Sequence, residues 1–550
     1  MLIRAKIRHL FSPYLLLILE LIILVPQSRF DPESHHDGVM FGAAIAVNDG
    51  LVPNRDVFAQ YGPFTPLLQG YWLKFTGPYL INIRLLSAIL LSITGLLLYL
   101  ITRKHLPLGL AFLSSIVWCT TYPRYILPPD LPWASIVSTL ITLIAMKLIF
   151  DSWKSIYTNT PKRTNLFIGS LLLTLGISTR IQLFMTLLLP TLLMCLNIRQ
   201  INQKSKVLLS WGSGIAVGCT LGVSYLIQNN ALGAYVNQVL IWPAKFYVKP
   251  VNFSDQGQIV ELLLLLLFPF YYLILSYFLR KLNQDKKTLV MLIWFTICIF
   301  AAITSLTRVE HKSYLNPVYL GTSLSQNLLQ VFGYASVSFI VGIFSLSILK
   351  GRIAELHPAT LIAVASVVQL YPLHDALHLW WVTPIFLAAS APLLKEKLAH
   401  FRKSENSLKI VMIGILSMSI FLLANYLQIE RIESKSLILS HMVGTKNNII
   451  PMDNFIAQIN KISKNSKIVF ECTDGIYAVS NGHYLAQDLN FYSAPIGDVH
   501  EYHSGDIVVR CRLNSQDVIN LKNNQIFELV NQTKFEDGHI NVIMKYRTKL

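Results

Sequence analysis

The chain has 550 residues, 53% of them hydrophobic and 14% charged, with a mean hydropathy of +0.50. Soluble globular proteins carry about a quarter charged residues, so the composition excludes an ordinary soluble enzyme and points to a polytopic membrane protein. The net charge of +17 does not point to nucleic acid, because the lysines and arginines fall in short clusters between apolar runs rather than in one stripe.

A helix crosses a bilayer with about 20 mostly apolar residues. By that rule about thirteen runs qualify, near 11–27, 80–101, 106–122, 132–150, 164–179, 181–198, 207–228, 258–279, 288–306, 328–349, 357–371, 379–394 and 407–427. The first follows Arg4, Lys6 and Arg8 as a signal peptide would, but it lacks a small-residue cleavage site and further spans follow, so it is expected to stay as an anchor. The connections alternate in charge. Arg103 and Lys104, Arg199 with Lys204 and Lys206, and the run Arg280, Lys281, Lys286, Lys287 belong to one set, whereas the other set, with longer loops, is poorer in Lys and Arg. Because positive segments stay inside, the N-terminus is expected in the cytoplasm. The long first loop, 28–79, and the tail are expected outside.

From about 430 to 550 the character changes. "KIVFEC", "DIVVRC", "IFELV" and "INVIMKY" predict strands, while "MDNFIAQINKI" and "SQDVINLKNN" have helical spacing, which makes a small α/β domain. Of the six cysteines, none has metal-ligand spacing. Cys472 and Cys511, each closing a similar apolar strand, are expected to be neighbours and to pair if the compartment oxidises them.

The first loop is no ordinary connector. Residues 38–48 predict a short apolar helix ended by Gly50, and "YGPFTPLLQGYWLKF" an aromatic amphipathic stretch along the membrane interface. Asp31, Glu33, His35, His36, Asp37, Asp49, Arg55 and Asp56 crowd the same loop. Ionisable groups beside a membrane-embedded face carry a desolvation cost, which makes function the default reading. The bland reading is solvated charges and caps, with Asp37 capping the helix that follows.

A multi-spanning chain with an acidic motif in a long first outside loop, two short helices in that loop and a soluble α/β tail resembles the integral-membrane glycosyltransferases of the C-type superfamily. These include the protein O-mannosyltransferases and bacterial lipid-linked sugar transferases. "HHDG", followed after a helix by "NRDVFAQYGP", is similar to the first-loop pattern of bacterial members. As architecture the resemblance covers most of the chain; as a motif it covers positions 35–63. It implies a mainly α fold, a transmembrane bundle over 1–429 with an extracytoplasmic α/β domain over 430–550, in a bacterial inner membrane. The implied reaction moves a sugar from a polyprenyl-phosphate donor to an extracytoplasmic lipid, glycan or protein acceptor. Asp37 matches the family's first-loop acid and is the expected general base, with His36 and Asp56 as further catalytic candidates and His35, Arg55 and Tyr61 as substrate-binding ones. Some relatives carry paired acids where this chain has His36 and Asp37, so no metal ligands are assigned and a divalent metal stays open.

Two later clusters lie on the same side. "STRIQLF" offers Arg180 and Gln182 at the outer end of an apolar hairpin, either as a snorkelling arginine or, as the resemblance implies, as a grip on the lipid-linked phosphate. "YPLHDALHLWW" offers Asp375 and His378 on one helix face, either as an interface turn with a Trp belt or as a second wall of the same site. The competing readings are a transporter or flippase of lipid-linked sugars, for which matched halves are missing, a polysaccharide polymerase or ligase, and a non-enzymatic assembly subunit. No GxxxxGK[ST], GxSxG or HExxH string supports ATPase, serine hydrolase or zincin chemistry.

Overall fold

The computed structural model describes residues 12–122, 130–157, 160–241, 356–370, 376–399, 402–463, 468–482 and 504–547 apart from short breaks, with scattered positions between 336 and 347. The runs expected near 258–279 and 288–306, and most of that near 328–349, lie outside these residues.

The described residues open with α1 (Pro13–Leu24), started by Pro13 in the first turn and by Ser12 Oγ, which accepts from the Leu15 N–H at 3.1 Å. The first loop contains α2 (His36–Asn48) and α3 (Phe64–Thr76). There follow α4 (Leu80–Thr102), α5 (Leu108–Thr120), α6 (Ala134–Trp153), α7 (Arg163–Ile177), α8 (Phe184–Leu196), α9 (Lys204–Gln228), a short α10 (Leu232–Tyr235), α11 (Pro358–Ser366), α12 (Ala376–Ala399) and α13 (Arg402–Leu427).

Among the described residues, four helices are long and apolar enough to cross a membrane: Leu80–Thr102, Ala134–Tyr157, Lys204–Gln228 and Leu377–Leu394. The runs expected near 106–122, 164–179, 181–198 and 357–371 form shorter apolar helices instead. Apolar composition outruns helix length there because backbone punctuation cuts the helices: Pro107 stands at the start of α5, and a 3-10 turn over Ile181–Leu183 precedes α8.

Two tryptophans lock α12 onto α5. Trp118 and Trp380 stack at 4.8 Å, and each indole N–H donates to the other's backbone carbonyl, at 3.0 and 2.8 Å. Thr139 Oγ1 of α6 donates to the Trp381 carbonyl at 2.9 Å. Buried polar groups satisfied in this way fix register as well as contact, and here they set the start of α12, with His378 and Trp381, against α6.

The tail follows α13 directly. Strands β1 (Ile432–Glu433) and β2 (Val443–Gly444) pair antiparallel, and α14 (Lys446–Ser463) leads to a four-stranded sheet in the order β3 (Ile468–Glu471), β4 (Ile507–Leu513), β6 (Ile540–Tyr546), β5 (Phe527–Lys534). β3 runs parallel to β4, and the other neighbours are antiparallel. The helix α15 (Gly475–Val479) follows β3, and α16 (Ser515–Lys522) starts on a capping box of Asn514 and Asp517. The expected strands and helices of this stretch are all present. Cys511 is disulfide-bonded; Cys472 lies outside the described residues, though Glu471 and Arg510, the residues before the two cysteines, are register partners.

The tail does not stand apart from the first loop. Phe41, Ala44 and Ile45 of α2 and Leu80 and Ile83 of α4 belong to the same buried cluster as Phe455, Ile456, Tyr477, Val509 and Ile543 of the tail. At Gly38 the backbones nearly touch: a Cβ there would lie 2.6 Å from the Gly475 nitrogen and 2.8 Å from its carbonyl carbon. Gly38→Ala therefore forces α2 and α15 apart, and overpacking of this kind costs about 1–3 kcal/mol. The variant is expected to lower the melting temperature of the detergent-purified chain by several degrees. A melting temperature equal to that of the parent contradicts this docking.

Candidate active site

The N-terminus of α2 is built by its own neighbours. The Glu33 carboxylate receives the His36 backbone N–H on Oε2, and the Glu33 N–H donates to Asp37 Oδ2 at 2.8 Å. One orphan N–H of the helix start, that of His36, is thereby satisfied by an acid, and the two carboxylates suit the positive end of the helix dipole. Just upstream, Asp31 ties the loop to the tail. Its N–H donates to the Val443 carbonyl at 2.6 Å, and its Oδ2 receives the Tyr426 hydroxyl at 2.8 Å and the Arg431 guanidinium at 3.2 Å.

Asp37 points inward. Arg84 Nε donates to its Oδ1 at 3.0 Å and Arg84 Nη2 to its Oδ2, and neither side chain has any exposed surface. Arg84 also donates to the Phe30 carbonyl at 2.5 Å and the Asp31 carbonyl at 3.2 Å. Burial pushes the Asp37 pKa up, and the Arg84 charge and hydrogen bonds oppose that push. Asp130 is likewise fully buried.

His36 points the other way and is half-buried. Its Nδ1 lies 2.9 Å from Glu33 Oε2. Burial works against the imidazolium, yet the hydrogen bond and charge of Glu33 outweigh it and the His36 pKa is raised; the Glu33 pKa is held low by His36, His35 and Arg512 against the effect of its burial. The His36 ring sits edge-on to Trp133 at 5.2 Å, and Trp133 is edge-on to Tyr61 at 5.2 Å. The Arg180 guanidinium lies over Tyr61 at 5.4 Å, with Nη1 donating to Ser135 Oγ at 2.6 Å. Trp133 is near-parallel to Trp381, centroids 6.5 Å apart, and His378 stands edge-on to Trp381 at 5.3 Å.

Four of the sequence-derived candidates, His36, Tyr61, Arg180 and His378, thus meet around Trp133 and Trp381 from four separate stretches of chain. Gln182 follows Arg180 within the 3-10 turn and is half-buried. Asp375 lies outside the described residues. His35 is buried and faces the tail, its Nδ1 3.7 Å from Asp474 Oδ1. Arg55 and Asp56 are not part of this group. They pair with each other at 2.7 and 2.8 Å, Asp56 Oδ2 accepts the Val52 N–H at 2.8 Å, and Arg55 reaches the Asn229 carbonyl at the end of α9.

Sequence reasoning did not single out Arg84, Asp130, Trp133, Asp474 or Arg512. A lone arginine inside the apolar run 80–101 is itself a signal, and so are the acid and tryptophan of "PPDLPW". Nothing in the sequence marks Asp474 or Arg512, whose contacts cross several hundred residues of chain.

No family model matches the chain, and no curated protein matches it. Among solved structures, the oligosaccharyltransferase of Archaeoglobus fulgidus in complex with Zn and sulfate aligns with a TM-score of 0.51 at 14% identity, over 90% of this chain and 68% of that one. The apo form of the same enzyme aligns at 0.47 and 12%, and the chain spans 62% of its length. ArnT from Cupriavidus metallidurans in the apo state aligns at 0.48 and 12%, over 96% and 97% of the two chains. At these identities the likeness is one of fold, and the fold shared is that of the archaeal oligosaccharyltransferase.

Removing one member of a buried ion pair leaves an uncompensated charge, at a cost of about 3–5 kcal/mol. Arg84→Met is therefore expected to destabilise the purified chain strongly in a thermal melt, and Arg84→Met with Asp37→Asn to recover a large part of the loss. A single variant that melts like the parent contradicts the pairing.

Proposed function

We propose that this protein is an integral-membrane glycosyltransferase that moves a sugar from a polyprenyl-phosphate donor to an extracytoplasmic acceptor at the bacterial inner membrane. What supports the reading is the group around Trp133 and Trp381: a half-buried imidazole, two further cationic or donor side chains and three aromatic faces, in a fold shared with an oligosaccharyltransferase. The Lys and Arg distribution along the chain supports the orientation.

In this reading the base is His36. Asp37, the acid that the first-loop motif suggests, is fully buried and engaged on both oxygens by Arg84; its role is to fix the start of α2. With Nδ1 of His36 donating to Glu33, the ring's lone pair is on Nε2, the arrangement in which a carboxylate orients an imidazole base. As the acceptor oxygen attacks the anomeric carbon, the new C–O bond forms and the bond from that carbon to the lipid phosphate oxygen breaks. The electron pair leaves with the phosphate, and the acceptor's proton passes to His36 Nε2. Arg180 and His378 are the groups suited to stabilise the departing phosphate, and Tyr61, Trp133 and Trp381 offer faces on which a sugar ring packs.

The residues beside His36 do not suit a divalent cation. Both Asp37 oxygens accept from Arg84, Glu33 Oε1 accepts from Arg512 and Oε2 from His36, and among the described residues no group of three His, Cys, Asp or Glu side chains is arranged to hold one. The proposed step is routed through no metal.

The test is sugar transfer by the purified chain with a polyprenyl-phosphate-linked donor. His36→Gln is expected to lower turnover about a hundredfold or more, the usual worth of a general base, while Asp37→Asn acts mainly on stability. Because the base must be neutral and Glu33 raises its proton affinity, turnover is expected to fall with decreasing pH through an apparent pKa above the ordinary imidazole value of 6.5. Full turnover in His36→Gln contradicts the assignment of the base; no transfer by the parent chain contradicts the transferase reading.

A further inference from the structure

The half of the site that faces the tail is also built, and of it the transferase reading uses only Glu33. Arg512, in β4 of the tail, donates from Nη2 to Glu33 Oε1 at 2.7 Å and from Nε to Asp474 Oδ1 at 2.7 Å. Asp474 is fully buried and receives the Ser34 hydroxyl on its other oxygen at 2.9 Å. The two Glu33 oxygens are therefore divided: Oε1 is held by the tail and Oε2 holds His36 Nδ1. A single carboxylate links a guanidinium on the last domain of the chain to the imidazole that faces Trp133.

The backbone around Arg512 is shaped for this contact. β4 loses register with β6 between Arg510 and Leu513, and Arg512 itself has φ +59°, a left-handed conformation that non-glycine residues adopt rarely. Its N–H leaves the ladder and donates to the Asn541 side-chain oxygen at 2.9 Å. Bulges of this kind re-aim a side chain and are enriched next to functional sites. Here the bulge directs the guanidinium to Glu33 and Asp474. The preceding residue, Cys511, is disulfide-bonded, so the strand end that carries Arg512 is anchored covalently.

We propose that Arg512 is a positioning residue for His36: docking of the tail onto the first loop clamps Glu33, and Glu33 in turn fixes the ring and tautomer of the base. The proposal rests on the transferase reading for its functional meaning, but its geometry can be tested without it. The charged groups around His36 are Glu33, His35 and Asp37 from the first loop and Arg512 and Asp474 from the tail. Among these, Glu33 and Asp37 favour the imidazolium and Arg512 disfavours it.

The measurement is the pH dependence of carbethoxylation of His36, followed by peptide mass spectrometry on the intact purified chain, since only the neutral imidazole reacts with diethylpyrocarbonate. Arg512→Gln keeps N–H donors for Glu33 but removes the charge, so the His36 midpoint is expected to move to higher pH by about half a unit or more. Glu33→Gln should move it to lower pH. In the transfer assay, Arg512→Ala should lower kcat about tenfold with KM for the lipid donor little changed, the pattern of a lost positioning contact. A His36 midpoint in Arg512→Gln equal to that of the parent overturns the proposal, whether or not the chain transfers sugar. Shifted midpoints in a chain that transfers nothing uphold the clamp and remove the transferase reading instead.

Discussion

The buried pair of Asp37 and Arg84 decides which way the first loop faces. Successive residues of a helix point about 100° apart, so once Asp37 is drawn into the protein by a bidentate guanidinium, His36 is turned out of that environment toward Trp133. The pair is costly to assemble, because both charges give up water. Its contribution is orientation: Arg84 holds the carbonyls of Phe30 and Asp31 in addition to the carboxylate, and so fixes the path of the loop into α2.

The tail completes what the pair begins. Gly38 lets α15 approach the backbone of α2, Asp31 is tied to Val443, Tyr426 and Arg431, and a common apolar cluster runs from Phe41 to Val509 and Ile543. The loop helix is thus gripped between the α4 arginine on one side and the tail on the other. On the membrane side the reciprocal Trp118 and Trp380 hydrogen bonds set the start of α12, which supplies Trp381 and His378. The proposed transfer reaction needs this rigidity, since a base a fraction of an ångström out of place loses much of its advantage.

What the sequence made legible follows from local physics. Alternating apolar residues marked the tail strands, and Gly50 marked the end of the loop helix. His36, Arg180 and His378 stood out because polar groups at a membrane edge are expensive and therefore conspicuous, whereas Tyr61 entered only through the first-loop motif. The orientation of Asp37 was hidden, because motif and spacing say nothing about a partner on another helix. Arg512 was hidden more deeply: it contacts Glu33 across 479 positions, through a bulge that strand propensity does not foretell. Among the described residues several of the expected runs form apolar helices shorter than their apolar composition suggests, because composition persists through the 3-10 turns and helix starts that bound a helix.

The most direct measurement is an experimental structure of the full chain with a polyprenyl-phosphate sugar bound. The expected result is the phosphate at Arg180 and His378, the sugar against Trp133 and Tyr61, and the anomeric carbon on the side that His36 Nε2 faces. A donor bound instead beside Arg55 and Asp56, or with its sugar turned away from His36, would contradict the assignment of this site.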